Sequence, residues 1–157
     1  MLSQAEADKL RAIEKKRSDE TRRIFPVAGE KLTIPILSMD GREKFQLDIS
    51  RGRIRLAKCT YQERYQSINI LVRLDLDGPP HPNPDVNVVP LKFLAPYNGQ
   101  TLKPPHLHLY VEGFLDKWAI PLPTDFTAPN DLFTTFQEFC TFCNISLMPL
   151  IKYDALT

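Results

Sequence analysis

The sequence lacks what would place it in several large protein classes. Only three of its 157 residues are cysteine, an odd number. That excludes a disulfide-built secreted scaffold, which needs a dense and even set. No apolar run approaches 18 residues, so no transmembrane helix is predicted. The N-terminus has no secretory apolar region, and a cytoplasmic setting away from membranes is expected. The absence of internal repeats and low-complexity tracts excludes solenoids and linker-like chains. Net charge is only +1, which by itself argues for no particular partner. Its distribution is uneven: residues 1–65 hold 15 Lys/Arg against 10 Asp/Glu, and residues 66–157 hold 5 against 9. With 43% apolar and 25% charged residues, the chain fits one folded domain over residues 1–157.

Histidine is equally scarce, yet all three, His81, His106 and His108, fall in one 28-residue window, and eight of the fourteen prolines lie between Pro79 and Pro105. Either side of this proline-rich stretch the pattern has period two. Val72, Leu74 and Leu76 alternate with Arg73, Asp75 and Asp77; Leu107, Leu109 and Val111 alternate with His106, His108, Tyr110 and Glu112. Such alternation sends one set to a core and the other to the opposite face of a strand. If the two strands pair, they present Arg, Asp and His on one polar wall.

The remaining pattern predicts an α+β fold. It is an antiparallel meander sheet of about six strands, with an N-terminal and a C-terminal helix packed on the sheet. Ser3-Gln4-Ala5-Glu6 reads as a capping box opening a helix within residues 1–24, whose charge run Glu14–Glu20 reads as a solvated face and whose surface suits a dimer contact. Residues 30–122 form the sheet. Its strands are Lys31–Ser38 (an edge strand, from Pro35), Glu43–Ser50, Ile54–Thr60, Ile68–Asp77, His106–Glu112 and Trp118–Pro121. Met39-Asp40-Gly41-Arg42 makes the first hairpin turn, and Tyr61–Ser67 is a linker. Residues 79–105 form a long loop, expected to act as a lid anchored by Phe93, Leu94 and Tyr97. The C-terminal helix covers residues 130–144, with an apolar stripe through Phe136, Phe139, Cys140 and Cys143, and residues 145–153 follow as an apolar tail. Cys140 and Cys143 in that stripe, and Cys59, read as packed residues.

Three chemistries fit the histidine cluster. The first is cleavage of RNA without a metal or other cofactor. One imidazole takes the proton of a ribose 2′-hydroxyl, a second group protonates the leaving oxygen, and a cation stabilises the phosphorane. Candidate catalytic residues are His81, His106, His108, Arg73 and Asp75. Candidate substrate-binding residues are Arg53, Arg55, Lys58, Arg64 and Lys117, with Tyr61, Tyr110 and Trp118 to stack on unpaired bases. The second is a zinc or iron site, with His81, His106 and His108 as ligands and Asp75 or Asp77 beside them. The third reading is a non-enzymatic binding protein of a phage or prophage, such as an inhibitor of a host protein, whose histidines cover a sheet edge with satisfied hydrogen bonds.

The stretches R-L-D-L-D-G-P-P-H-P-N-P-D, P-H-L-H-L-Y, E-G-F-x-D-K-W-A and S-R-G-R-I-R-L-A-K-C-T-Y-Q resemble a family of small, uncharacterised bacterial and prophage-borne proteins, over about Gly29 to Asn144. That resemblance implies no activity. Val86 stands where a glycine is expected. A looser likeness, in motif order only, is to TumE-type toxins of bacterial toxin–antitoxin modules, through Arg73, Asp75, His81, Pro105, His106 and His108. It implies a small cytoplasmic toxin acting on RNA, with a cognate antitoxin as neutralising partner.

Overall fold

Ser3 opens the first helix as its residues predict. Its side chain accepts from the Glu6 N–H, and the Glu6 carboxylate accepts from the Ser3 N–H at 2.9 Å. The computed structural model describes residues 1–154. In it this helix, α1, covers only Gln4–Ala12, because the backbone turns extended at Ile13. The charge run that follows is not a helical face. It contains a short strand, β1 (Lys15–Arg17), and a second, β2 (Arg22–Ile24), follows it; Lys15 is fully buried.

The chain continues through β3 (Lys31–Ser38) and β4 (Lys44–Arg51), joined by the predicted turn. Gly41 takes φ +77° there, a conformation open to glycine at little cost. Then come β5 (Cys59–Tyr65), β6 (Asn69–Asp75), and the pair β7 (His81–Pro82) and β8 (Thr101–Leu102), separated by a 3-10 turn at Lys92–Tyr97. Next are β9 (His106–Val111), β10 (Leu115–Pro121), α2 (Leu132–Phe142), β11 (Ile145–Leu147) and β12 (Leu150–Lys152). Eight strands form one sheet in the order β10-β9-β6-β5-β4-β3-β1-β11. All its pairings are antiparallel except β1 with β11. Two small sheets, β12-β2 (parallel) and β7-β8 (antiparallel), complete an α+β arrangement with more strands than the pattern predicted.

Two stretches differ from the sequence reading. Residues 52–58 are loop rather than strand, with Ile54 91% and Leu56 68% exposed. The strand is the stretch expected to be a linker: Cys59, Tyr61 and Glu63 turn inward, and all three are buried. A carboxylate in an inward position hides the period of that strand. The apolar tail is likewise two strands, whose parallel pairing with β1 and β2 brings the two ends of the chain together. The one-domain reading ran to residue 157; residues 155–157 lie outside the described residues.

One buried cluster joins Ala7 and Leu10 of α1, Ile34, Leu47, Leu74 and Leu107 of the sheet, and Phe136, Phe139 and Cys140 of α2. The apolar residues of α1 therefore lie inside this chain rather than on a free dimer surface. Cys140 and Cys143 are buried in the same cluster, and burial pushes both thiols up, away from the reactive thiolate. The opposite face of the sheet carries the polar residues of interest.

Candidate functional site

Strand pairing sorts this polar face into two transverse rows. Lys31, Ser50, Thr60, Asp75 and His106 are partners in sequence across β3, β4, β5, β6 and β9. Thr33, Asp48, Gln62, Arg73 and His108 form the second row across the same five strands. The expected wall is thus brought together by the β6–β9 pairing, with Asp75 opposite His106 and Arg73 opposite His108.

His81 reaches the wall from the proline-rich loop. That loop is tied to β9 and β10 through Asn83 and Leu94. Asn83, itself buried, accepts from the Ala119 N–H and donates to the Ala119 carbonyl, both at 2.8 Å. Leu94 is buried with Val111 and Trp118, whereas Phe93 stays exposed. Gly78 leads into the loop at φ +129°, a backbone angle that only glycine takes without strain. The His81 ring centre lies 4.5 Å from that of His108 and 5.9 Å from that of His106, and the latter two are 5.0 Å apart.

Asp75 is the hub. Its Oδ2 lies 3.3 Å from His106 Nε2, 3.2 Å from His108 Nε2 and 3.3 Å from Arg73 Nε, and its Oδ1 accepts from the Thr60 hydroxyl at 2.8 Å. Burial opposes ionisation of Asp75. Hydrogen bonds from His106, from His108 when its Nε2 is protonated, and from Thr60, with the Arg73 charge, outweigh it and hold the carboxyl well below the ordinary carboxylate range.

Two of the three imidazoles are fixed by backbone carbonyls, which can only accept, while His106 Nδ1 is buried without a hydrogen-bond partner. His108 Nδ1 donates to the Asp116 carbonyl at 2.8 Å, and His81 Nε2 donates to the Lys117 carbonyl at 2.7 Å. In neutral His108, Nε2 is therefore an acceptor, and it takes the Arg73 Nη2 proton at 3.1 Å. Protonated His108 instead donates from Nε2 to Asp75. His106 and His108 are buried, at 2% and 0% exposure, while His81 is only half-buried. His81 is thus the imidazole that solvent and a substrate can reach. Burial is the main cause that moves its pKa below the ordinary value of 6.5. The Lys117 carbonyl opposes this, and the charges of His108, His106 and Arg73 add to it.

A cleft of about 460 Å³ opens over the wall, lined by residues including Lys31, Lys58, Thr60, Arg73, Asp75, His81, His106 and His108. Of the candidate binding residues, Lys58 lines it, and Arg55 does not but pairs at 2.7 Å with Asp77, which does. Others are placed elsewhere. Arg64 is held by Asp48 through two nitrogens, at 2.6 and 2.9 Å. Arg53 is exposed on the 52–58 loop and does not line the cleft. Lys117 contributes its carbonyl. Tyr61, Tyr110 and Trp118 are buried. The Tyr61 and Tyr110 hydroxyls donate to the Leu132 and Leu2 carbonyls, so none of these three rings is offered to a base.

The sequence reading missed Asp116. Its carboxylate takes an Arg73 proton at 2.6 Å while its carbonyl orients His108. No spacing signal marks it, because it follows the turn between β9 and β10 and reaches the site only through the register shift there.

The chain belongs to DUF6978, a family of unknown function, whose model matches residues 2–145. This supports kinship with an uncharacterised family; it gives no support to the TumE-type likeness. No curated protein and no solved structure matches the chain. Among the described residues no helix is long and apolar enough to cross a membrane.

Proposed function

We propose that this cleft is a metal-independent acid–base site acting on RNA, in a toxin-like protein of a bacterial toxin–antitoxin module or mobile element. The observation that carries the chemistry is the packing of His106 and His108 on Asp75, with Arg73 beside them and the accessible His81 ring against both, facing a polar cleft. Neutral His81 has its Nε2 proton engaged and Nδ1 free, so Nδ1 takes the 2′-hydroxyl proton. The 2′-oxygen attacks phosphorus, the Arg73 guanidinium meets the charge on the phosphorane, and the 5′-oxygen leaves with a proton from solvent. The products are a 2′,3′-cyclic phosphate and a 5′-hydroxyl. Buried His106 and His108 act as positioning residues that hold Asp75 and Arg73. The toxin part rests on motif order alone.

A second reading has its own observation. Ligand atoms of Asp75, His106 and His108 lie within 4.8 Å of one another, and a carbonyl on the far nitrogen of His108 is the usual support of a metal-bound imidazole. Against it, Arg73 nitrogens stand 3.1 to 3.3 Å from His108 Nε2 and Asp75 Oδ2, so a cation already occupies their acceptor positions.

The test is controlled expression in a bacterial host, wild type beside His81→Ala and Arg73→Ala, with growth and total RNA followed together. RNA cleavage by the purified protein in EDTA is measured alongside. Growth arrest with RNA decay that persists in EDTA and is lost in both variants is expected. Stoichiometric zinc or iron with EDTA-sensitive activity would establish the metal reading. Intact RNA throughout would leave a binding protein.

A further inference from the structure

The carboxylates of this cleft all have cationic partners. Asp75 and Asp116 share Arg73, and Asp77 is held by Arg55. Two of its lysines do not. Among the described residues, the Lys31 and Lys58 ammonium groups make no hydrogen bond and no ion pair within 4 Å, yet both line the cleft. Lys31 stands at the end remote from the imidazoles, whereas Lys58 lies between, its charge reaching Asp77 without forming a close pair. Lys31 is three strands from Asp75 in the first transverse row, roughly 14 Å at a spacing of about 4.8 Å per strand. Lys58 precedes β5, and its side chain passes close to Gly78. Ser50 and Thr60 lie between, with hydroxyl groups facing the same space. Such a span exceeds one nucleotide repeat, about 3.4 Å along a stacked strand. The cleft lining includes no Tyr, Phe or Trp, so its lysine end offers no ring on which bases could stack.

We propose that Lys31 and Lys58 form a second phosphate subsite, so that the cleft takes a single-stranded oligonucleotide by its backbone, without base preference, rather than a dinucleotide. This rests on the RNA reading of the site but is tested apart from it. Four cations, Lys31, Lys58, Arg55 and Arg73, against three carboxylates, Asp75, Asp77 and Asp116, leave a net positive potential, with Lys31 and Lys58 in no close pair. Backbone phosphates satisfy it, and they release counterions as they bind.

The experiment measures binding of a fluorescein-labelled ten-residue deoxythymidine strand in EDTA, as a function of salt. This strand lacks the 2′-hydroxyl and cannot be cut by 2′-oxygen attack. The wild type, Lys31→Gln, Lys58→Gln and the double variant are compared, with folding checked by circular dichroism. Each lysine removed is expected to flatten the slope of log affinity against log salt by about 0.7. An unlabelled deoxythymidine dinucleotide should compete at least tenfold less well than the ten-residue strand. A deoxyadenosine strand should bind within a few-fold of the thymidine strand. Unchanged slopes in the folded double variant, or equal competition by the dinucleotide, would overturn the subsite even if RNA is cleaved. Lysine-dependent binding without RNA cleavage would keep the subsite and overturn the catalytic reading.

Discussion

His81 and His108 sit 4.5 Å apart, ring centre to ring centre, yet differ in what they can do. His108 has both nitrogens engaged and no exposure; His81 has one nitrogen on a carbonyl and one free. Replacing His81 with Ala should cost RNA cleavage about 10²–10⁴-fold, the range for loss of a general base, with little change in melting temperature. Because the folded His81 is depressed below 6.5, it stays neutral to a lower pH than a free imidazole. The acid limb of the cleavage profile should therefore have its midpoint below pH 6.5, and Arg73→Lys, which keeps the charge, should leave that limb in place. A midpoint at or above 6.5 would assign the base to another group. The same depression makes protonation of His81 unfavourable to the fold, so its contribution to stability declines as pH falls through 6.5 and below. Asp75 has the same sign at lower pH: its depressed carboxyl favours the fold at neutral pH and loses that contribution as pH falls below the ordinary carboxylate value of 3.8.

At the scale of elements, Lys15 joins both helices to the sheet. Its Nζ donates to the Arg11 carbonyl at 2.9 Å and the Cys143 carbonyl at 2.7 Å, the C-terminal ends of α1 and α2, where a positive charge is favoured. It also faces Glu63 at 3.5 Å and the Phe45 ring at 5.0 Å. Burial pushes the Glu63 carboxyl up to about 7, with Lys15 opposing. Ionising Glu63 therefore costs the fold as pH rises from about 4.5 through 7. Lys15→Met should destabilise the protein by about 3–5 kcal/mol in urea unfolding at pH 8, since it strands a buried charge. The loss should be smaller at pH 5, and Lys15→Met/Glu63→Leu should recover most of it. A single variant as stable at pH 8 as the wild type would remove the pair from this role. This pair also explains what was illegible in the sequence. The wall from Arg73 to His108 was readable, because each of its strands alternates without interruption. β1 and β5 were not, because Lys15 and Glu63 hold inward positions that only make sense together, and 48 residues separate them. The same holds for β11 and β12, three residues each and parallel to partners at the far end of the chain, where period two cannot be distinguished from chance.

Across the whole molecule the sheet separates two duties by face. One face meets Phe136 and Phe139 in the core; the other carries the two polar rows. Closure of the chain ends belongs to the first duty. Tyr153 lies edge-on to Phe25 and stacked on Phe133, both with ring centres 5.2 Å away, just beyond the Lys152 carbonyl that accepts the Phe25 N–H at 2.9 Å. The family match ends at residue 145, before this contact. Tyr153→Ala should lower stability by about 1–2 kcal/mol, from lost aromatic burial, while its affinity for the ten-residue strand at 25 °C stays within twofold. Lys31→Gln/Lys58→Gln should do the reverse, weakening the strand several-fold with an unchanged urea midpoint. Unfolding and binding measured on the same preparations decide the matter. If Tyr153→Ala weakens binding while the protein remains fully folded, the two faces are coupled and the cleft depends on the closure of the chain ends. If it does not, β2, β12 and Tyr153 are structural, and the cleft owes its shape to β3 through β10 alone.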